Sequence, residues 1–448
     1  MSRTFSGASA VAKTGVGLAL APALTPDGVA DRPSFFHGFA THPAVFAQGL
    51  LTLADVTATR YFQYTPSNLR DPVLTAHGDR LRAECFSACN GVYARLDLLG
   101  SGFDGGDIGH GTTNVDVNPT MRSALAKVRR AELLHVDIGD DGLRVATPDS
   151  HAHERPVEMP DRWIRALGNV AQMHRPAVSA FSLDRRQTRA FLGSLPHATA
   201  AAQRGWLVPD RTGARLSPRP VPGGVYVNGL HRLAAAKRML VHATGLTAYA
   251  LGVGESPSVV EIDLPGARLS FGLTEEPWRG FSGEGSLLEA LASPTVLDDA
   301  DLVSALLAFE PIIDVARLSR DAALAPARTE GALAVLASSG RVGWDAHDES
   351  WFHRELPDDP ARVRKDNPRL VAARALVDAS AVSASDGAWT VANPSGGVYR
   401  ASLGPTGGVD GSRCTCTWYM SHGTARGPCK HVLAAYLTCG GSIEENND

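Results

Sequence analysis

The sequence predicts a multidomain α+β protein with a strand-rich mixed N-terminal body, a winged-helix-like segment and a small C-terminal ββα module. Three observations favour this class. The chain has 448 residues, which corresponds to about two to four domains at roughly 150 residues each. Short apolar runs separated by Gly, Asp and Pro, a pattern typical of strands and turns, fill the first part of the chain. Three of the six cysteines lie close to a histidine near the C-terminus, as metal ligands do.

The composition is that of an ordinary globular chain. Hydrophobic residues make up 44% of the sequence and charged residues 20%. The formal net charge of -4 gives no global attraction to nucleic acid or to an anionic membrane, so any such binding needs a local patch. No apolar run reaches the roughly 18 residues of a membrane span, and Val16–Ala21 is too short for a secretory signal. We therefore expect a cytoplasmic protein without a membrane partner.

The first predicted domain covers residues 1–155 and is mixed and strand-rich. Its strands are interrupted by one helix, from Met121 to Arg130, because Asn118 is a natural helix cap and Pro119 a natural first residue.

The second predicted domain covers residues 156–296 and mixes helices with strands. The segment from Pro160 to about Leu195 predicts two helices, the second of which is entered at Ser182. Strand patterns return from about residue 222 to 272, split by a helix near His231–Val241.

Residues 297–358 have the element order of a winged helix-turn-helix, which is three helices followed by a hairpin. The predicted helices are Asp301–Glu310, Val315–Ala323 and Arg328–Ala337, and the hairpin turns at Ala346–Ser350. In such a fold the third helix reads DNA. The charges oppose that role, because residues 298–357 hold eleven acidic residues against five arginines and no lysine. We expect an acidic protein-docking or structural module here.

The C-terminal residues 380–448 carry four candidate metal ligands. One residue separates Cys414 from Cys416, and Cys429 and His431 follow after a gap of twelve, again with one residue between them. Three thiolates and one imidazole suit tetrahedral zinc. The first pair should lie on one face of a strand and the second at the start of the apolar helix that follows. Because protein fills all four positions, we expect one structural Zn2+ ion.

Two other residues are rivals for a ligand position. Cys439 lies beyond the predicted helix and His422 in a predicted turn, so both are outside the two tight pairs.

This ligand pattern, followed by an apolar helix, resembles the SWIM zinc finger. The likeness extends to a strand hairpin ahead of it, formed by Trp389–Val391 and Val398–Leu403. It covers only about the last sixty residues, and it implies that Cys414, Cys416, Cys429 and His431 are the zinc ligands.

Three further phrases are similar to bacterial proteins that carry a C-terminal SWIM finger behind a long body. They are Gly111–Asp116, Trp278–Gly285 and Phe352–Pro357. Such proteins are often encoded beside a MoxR-type AAA+ ATPase and a von Willebrand factor A protein. The resemblance therefore implies protein partners of these two kinds.

The function predicted from the sequence is that of a non-enzymatic interaction protein whose zinc finger is a docking module. No phosphate loop, nucleophile elbow or nucleophile–base pair is recognisable, so we predict no catalytic residue and no cofactor besides zinc. A hydrolase in the N-terminal body is a further class that no motif supports.

The alternative is a DNA-binding protein that uses the zinc finger and the basic stretch 204–238. This stretch holds one acidic residue, Asp210, and seven basic ones. The basic residues are Arg204, Arg211, Arg215, Arg219, Arg232, Lys237 and Arg238.

Overall fold

The protein is described by a computed structural model. The described residues are 10–11, 15–17, 23–25, 28–30, 34–62, 72–157, 159–252, 254–278, 280–281, 295–307, 310–354, 356, 368–385, 387–394, 396–405, 407–409, 411–423 and 427–444. Most of Trp278–Gly285 and part of Val16–Ala21 lie outside them. The class is α+β, with several antiparallel sheets, a strand-rich N-terminal body and a small C-terminal module.

The part of the body before residue 160 contains most of the strands and two α-helices. Its elements are β1 (Ala10–Val11), β2 (Gly15–Gly17), β3 (Ala23–Thr25), β4 (Gly28–Ala30), β5 (Ser34–Ala40), α1 (Pro43–Thr57), β6 (Val73–His77), β7 (Arg80–Phe86), β8 (Val92–Leu99), β9 (Phe103–Ile108), β10 (His110–Asn114), α2 (Pro119–Lys127), β11 (His135–Gly139), β12 (Gly142–Thr147), β13 (Ser150–Glu154) and β14 (Met159–Pro160).

Helix α2 confirms the helix predicted after Asn118. The Asn118 side chain accepts hydrogen bonds from the backbone N–H groups of Thr120 and Met121. The prediction of a single helix in this region is wrong, however, because α1 lies there too. Nearly every residue of α1 is buried, so the helix has no polar face and its sequence shows no amphipathic period.

The part of the body after residue 160 completes the sheets. Its elements are α3 (Asp161–His174), β15 (Val178–Leu183), α4 (Arg185–Ser194), β16 (Arg204–Pro209), β17 (Ala214–Ser217), β18 (Val225–Asn228), a 3₁₀ helix (Leu230–Met239), β19 (Gly245–Ala250), β20 (Ser258–Leu264) and β21 (Ala267–Leu273).

The two helices predicted between Pro160 and Leu195 are present, but a strand separates them. The second begins after Asp184 rather than at Ser182, which lies in β15. The reason is a capping box, in which Asp184 accepts from the backbone N–H of Gln187 and the Gln187 side chain accepts from the backbone N–H of Asp184.

One eight-stranded sheet forms the centre of the body. Its order is β10-β6-β7-β8-β21-β20-β19-β15, and neighbouring strands are antiparallel. The pairing of β8 with β21 joins strands from both sides of the predicted boundary between residues 155 and 156. Segments 1–155 and 156–296 therefore share one sheet and one hydrophobic cluster.

The two faces of this sheet differ in chemistry. Helix α1 covers one face of the sheet. There Gly49 lies against Leu96, and the Cys85 thiol donates a hydrogen bond to the carbonyl oxygen of Leu53. Side chains alternate along a strand, so Arg82 and Glu84 of β7 point to the other face. That face is buried as well, although it is lined with charge.

The described part of residues 297–358 contains three helices and a hairpin in the predicted order, although the first helix begins before Asp301 and ends at Leu306 rather than at Glu310. These are α5 (Val296–Leu306), α6 (Val315–Asp321), α7 (Pro326–Ser338), β22 (Val342–Asp345) and β23 (Ser350–His353). The hairpin β22–β23 packs over the charged face of the large sheet. Helix α7 packs on α3, where a side chain at Gly168 would clash with the carbonyl oxygen of Ala337. Its second half, from Ala332 to Ser338, is buried.

The C-terminal module is a four-stranded sheet with three helices. Its elements are α8 (Pro368–Asp378), β24 (Val382–Ser385), β25 (Ala388–Ala392), β26 (Val398–Ser402), β27 (Arg413–Cys414), α9 (Thr417–His422) and α10 (Lys430–Glu444). The sheet order is β24-β25-β26-β27, so the predicted hairpin is confirmed as β25–β26.

Helix α10 joins the module to the preceding segment. On one side Val432 and Ala435 pack with the cysteines. On the other side Leu433 and Ala434 belong to a cluster formed with α5, α7 and α8.

Among the described helices, none has the length and apolar character that crossing a bilayer would require.

Candidate metal centre

Four side chains converge at the junction of β27, α9 and α10. Cys414 ends β27, Cys416 is the N-cap of α9, Cys429 directly precedes α10 and His431 is the second residue of that helix. Their ligand atoms all lie within 4.8 Å of one another, and all four residues are buried. This separation suits ligands that share one tetrahedral ion.

The local sequence explains the position of each cysteine. Thr415 holds the end of β27 against β26 through two hydrogen bonds with Arg400. Its N–H donates to the carbonyl oxygen of Arg400, and its hydroxyl accepts from the Arg400 N–H. The chain then turns into α9, where the Cys416 sulfur accepts from the N–H of Tyr419 at 3.4 Å. Of the two thiols that were predicted to lie on one face of a strand, only that of Cys414 belongs to a strand. Cys416 is held by a helix start instead.

The two rival ligands lie apart from this cluster. His422 is the last residue of α9 rather than part of a turn, and its ring contacts Trp418. Cys439 lies within α10, about two turns beyond the ligands. The group of potential ligands found among the described residues consists of the four predicted ones.

Crowding three thiols together shifts their pKa values in different directions. The pKa of Cys429 is lowered to about 4, against the effect of burial. The hydrogen bond with Cys414 is the largest cause, and hydrogen bonds with His431 and with the backbone N–H of Val432 add to it. The same contact with Cys429, together with burial, raises the pKa of Cys414, and burial raises that of Cys416. A divalent cation would allow all three to be thiolates at once.

The histidine is oriented for the same ion. Its Nδ1 lies 3.8 Å from the Cys414 sulfur, so this nitrogen faces the thiols. The ring packs against that of Tyr399, with 4.4 Å between the ring centres and an angle of 30° between the planes, which restricts its orientation. Three sulfurs and one nitrogen are a donor set that tetrahedral zinc takes, and the four residues can hold a single zinc ion of the structural kind.

The basic stretch 204–238 does not form one free cationic surface. Arg232 is buried and donates to the carbonyl oxygen of Thr274 at 2.7 Å, and Arg238 pairs with Asp55 at 2.5 Å. Arg204 lies 3.9 Å from Glu255. The side chains of Arg211, Arg215 and Arg219 are exposed.

The sequence analysis missed a layer of paired charges between the large sheet and the hairpin β22–β23. We call this the buried charge layer; its members are Arg82, Glu84, Arg95, Asp97, Arg268, Asp345 and Arg354. Glu84 accepts two bonds from Arg354, both 2.6 Å long. Asp345 lies 2.6 Å from Arg82 and 2.9 Å from Arg95.

These pairs stay ionised although they are buried. Burial alone would raise the pKa of Glu84, but the charge of Arg354 and the hydrogen bonds from Arg354 and Tyr93 hold it below its usual value. In the same way, Arg95, Arg82 and Arg268 outweigh burial and hold the pKa of Asp345 far below its usual range. Each carboxylate of the layer therefore has an arginine of the same chain as its counter-charge.

A visible signal of this layer was the spacing of charges along β7 and β8. Opposite charges recur at every second position, and the register places Arg82 opposite Asp97 and Glu84 opposite Arg95. Phe352, from the phrase Phe352–Pro357, also lies here, because its ring centre is 3.7 Å from the Arg82 guanidinium carbon; Glu355 and Pro357 of that phrase lie outside the described residues.

One protein-family model matches a segment of the C-terminal module. Residues 399–440 match the SWIM zinc finger model, and the four ligands lie inside the matched segment. This confirms the resemblance predicted for the module. No curated protein matches the chain.

Two solved structures resemble part of the chain. Proliferating cellular nuclear antigen from Entamoeba histolytica is 12% identical over 54% of this chain and 99% of its own, with a TM-score of 0.36. The PCNA2–PCNA3 complex from Sulfolobus tokodaii is 10% identical over 54% of this chain and 100% of its own, with a TM-score of 0.40. Scores this low carry no conclusion about this chain.

Proposed function

We propose that the chain is a non-enzymatic interaction protein in which the SWIM-type zinc module docks a protein partner. The observation that carries the proposal is the closed coordination set of Cys414, Cys416, Cys429 and His431. An ion with four protein ligands has no position for water or substrate. Its contribution is to hold the surrounding surface in shape, so the surface is the working part of the module.

The module's surface supports a protein partner. Val398 on β26 and Met420 on α9 are 66% and 76% exposed, and Val371 on α8 is 44% exposed. Methionine and aromatic side chains are enriched in protein interfaces. Exposed apolar side chains on three neighbouring elements are therefore consistent with a surface that is covered when a partner binds.

Three observations weigh against the alternative of a DNA-binding protein. Helix α7, which would read DNA in a winged helix, is buried along its second half and packed on α3. Its segment has an excess of acidic residues. Within the stretch 204–238, Arg232 and Arg238 are already engaged by other parts of the body.

The setting we propose is a MoxR-type AAA+ ATPase system in the cytoplasm, with the ATPase or a von Willebrand factor A protein as the partner. It rests on the resemblance of Gly111–Asp116, Trp278–Gly285 and Phe352–Pro357 to bacterial SWIM proteins.

The test is complex formation between the zinc-loaded full chain and each of these two partners from the source organism. Nuclease-treated mixtures are compared by gel filtration and calorimetry. Val398→Ser should weaken the complex about tenfold, as loss of an interface side chain does. Val178→Ser is the matched control, because Val178 is also an exposed valine on a strand, 68% against 66% exposed, but lies on the body.

Two results would contradict the proposal. Equal effects of the two valine substitutions would remove the module from the interface. DNA binding that persists near about 150 mM salt and is lost in Cys429→Ser would make the module a nucleic-acid reader instead.

A further inference from the structure

One surface of the body collects arginine side chains from separate segments of the chain. We call it the arginine surface; its members are Arg185, Arg186 and Arg189 of α4, Arg211 of the turn between β16 and β17, and Arg215 of β17. Four of the five are exposed, and Arg189 is half-buried. The segments 184–189 and 210–215, which supply them, hold two acidic residues, Asp184 and Asp210.

Hydrogen bonds hold these two segments against each other. The Arg186 guanidinium donates to the carbonyl oxygen of Arg211 at 2.9 Å, and the Gln187 side chain donates to that of Asp210 at 2.9 Å. A Cβ at Gly213 would lie 3.0 Å from the carbonyl oxygen of Gln187, so the turn packs directly on α4. The five arginines therefore belong to one surface although they come from separate parts of the sequence.

The surface continues beyond the far side of α4. The Arg189 guanidinium donates to the carbonyl oxygens of Val241 at 2.8 Å and Ala243 at 3.3 Å. His242 lies between these two residues. Its pKa is lowered by burial and, to a smaller extent, by the charges of Arg130 and Arg189. Arg130, which is exposed, thus adds a sixth guanidinium next to the arginine surface.

The two aspartates are engaged by the backbone rather than by the arginines. The Asp184 carboxylate accepts from the N–H of Gln187 at 2.8 Å as part of the capping box of α4. The Asp210 carboxylate accepts from the N–H groups of Thr212 and Gly213, both at 2.8 Å. Within the described part of the chain, none of the five arginines forms an ion pair with a carboxylate.

Exposed arginines elsewhere in the protein do have such partners. Arg144 pairs with Asp141, and Arg317 lies 3.2 Å from Asp321. The whole chain has a net charge of -4, so it does not lack carboxylates for this purpose. The arginine surface is therefore a local concentration of unmatched positive charge on an acidic protein.

Two of these charges also oppose the stability of their own helix. Arg185 and Arg186 are the first two residues of α4. The start of a helix carries a partial positive charge, so an acidic residue stabilises it there and an arginine does not. Residues that break a local rule of this kind are expected mainly at functional sites. Their position indicates a ligand of opposite charge.

We propose that the arginine surface binds the phosphate backbone of a nucleic acid, without reading its sequence. Guanidinium groups bind phosphate through two parallel N–H donors, and several such contacts together supply the affinity of non-specific binding. Phosphate contacts carry no sequence information.

A nucleic acid suits this surface better than an acidic protein does. The segments 184–194, 210–215 and 241–243 expose one large apolar side chain, Val241. Protein interfaces have a core that is apolar and poor in charged residues, which this surface lacks.

This binding site is separate from the docking function proposed for the zinc module. The observations that weigh against a DNA-binding module concern α7, its acidic segment, and the engaged side chains of Arg232 and Arg238. None of these is part of the arginine surface. The body would hold the nucleic acid while the module holds the protein partner.

The test is fluorescence anisotropy of a labelled, mixed-sequence DNA duplex titrated with the zinc-loaded full chain. Five phosphate contacts predict that the affinity falls roughly 500-fold between about 50 and 200 mM salt. A single-stranded RNA of the same length is the second probe, and the tighter of the two identifies the source of the phosphate. A polyglutamate peptide is the competitor that tests for an acidic protein instead.

The decisive variant is Arg185→Glu, matched with Arg144→Glu. Both arginines are exposed, and Arg144 lies on β12, outside the arginine surface. Glutamate at the start of α4 favours the helix, so the urea midpoint of Arg185→Glu should stay constant or rise. At about 50 mM salt its affinity for the duplex should fall at least about tenfold, and the salt slope should decrease by about one. Arg144→Glu should lose less than about twofold.

Three results would overturn the proposal. They are no binding of either nucleic acid at about 50 mM salt, equal losses of affinity in the two variants, and competition by polyglutamate as strong as that by unlabelled duplex. The last of these would make the occupant an acidic protein.

Two further measurements separate this site from the docking function. Nucleic-acid affinity that is lost in Cys429→Ser would move the site to the zinc module and contradict both proposals. If Arg185→Glu loses nucleic acid but still binds the protein partner, both proposals are supported.

Discussion

The N-terminal body and the zinc module bury charge in different ways. In the body, Glu84 pairs with Arg354, and Asp345 with Arg82 and Arg95, so these buried carboxylates are matched by arginines of the same chain. In the module, three thiols and a histidine face one another and need a cation from solution. The body carries its own counter-charges for these pairs, whereas the four ligands of the module require a bound cation.

The hydrophobic clusters show the same contrast. The cluster of the body joins α1, the large sheet and α3, and is far larger than that of the module. The cluster around the zinc site contains seven buried residues, three of which are the cysteines. Without the ion, the module loses the centre of its own core.

The largest expected effect is loss of the metal. Cys429→Ser should remove the zinc and unfold the module, because structural zinc contributes about 10–16 kcal/mol of binding free energy in small zinc-dependent folds. Metal analysis and hydrogen exchange measure the two effects. Within the module the increase in exchange should include α8, which packs on α10, while the large sheet of the body stays protected.

Two results would break this contrast. Full zinc occupancy in Cys429→Ser would remove Cys429 from the ligand set. Loss of protection in β7 and β8 would show that the body depends on the module. Cys439→Ser is the matched control, and it should change neither property.

The second effect concerns the buried charge layer. Arg354→Met leaves the Glu84 carboxylate buried without its main counter-charge, which should lower the free energy of unfolding by about 3–5 kcal/mol. Urea denaturation monitors the loss. The double variant Glu84→Leu/Arg354→Met should recover most of it, because removing both charges also removes the burial cost. A double variant no more stable than Arg354→Met would mean that the pair itself is needed.

The smallest effect is a pH dependence that belongs to the body. His174 on α3 is buried against the rings of Tyr93 and Phe281, and burial, with a smaller effect of Arg95, lowers its pKa from 6.5 to about 3. As the pH falls, His174 is therefore protonated in the unfolded chain at a higher pH than in the folded protein. Stability should fall as the pH drops from about 6.5 toward 3, by up to roughly 1.4 kcal/mol per pH unit from this residue.

His174→Gln should remove this part of the pH dependence. The measurement is the urea midpoint at pH 7 and pH 5 for both proteins. Acid also weakens zinc binding, but it does so equally in both, so the difference between them reports the body alone. Parallel losses of stability in the two proteins would contradict the assignment.

Local features were predictable from the sequence, and features that depend on distant partners were not. The four zinc ligands lie within eighteen positions and could be recognised from their spacing. The cap of α2 at Asn118 is a property of three neighbouring residues. Helix α1 was missed because burial on all sides removes its periodicity, and β15 because much of it is exposed and lacks a clear strand pattern.

The buried charge layer shows most clearly why the rest could not be predicted. Glu84 and Arg354 are 270 positions apart, and the residues around each of them do not indicate that the two side chains pair. Charge at alternate positions of a strand such as β7 is typical of a polar face, and such a face normally meets water. That face is buried only because the hairpin β22–β23 covers it. The packing of α7 on α3 positions this hairpin.

The pairing of β8 with β21 has a consequence for synthesis. Strand β8 ends at Leu99, and β21 begins at Ala267, so a ribosome adding 5–20 residues per second completes the first on the order of ten to thirty seconds before the second. During that interval the strand edge at the centre of the future sheet has no partner. A nascent chain in this state is open to mispairing with its neighbours, and its yield in cells should depend on chaperones that shield such edges.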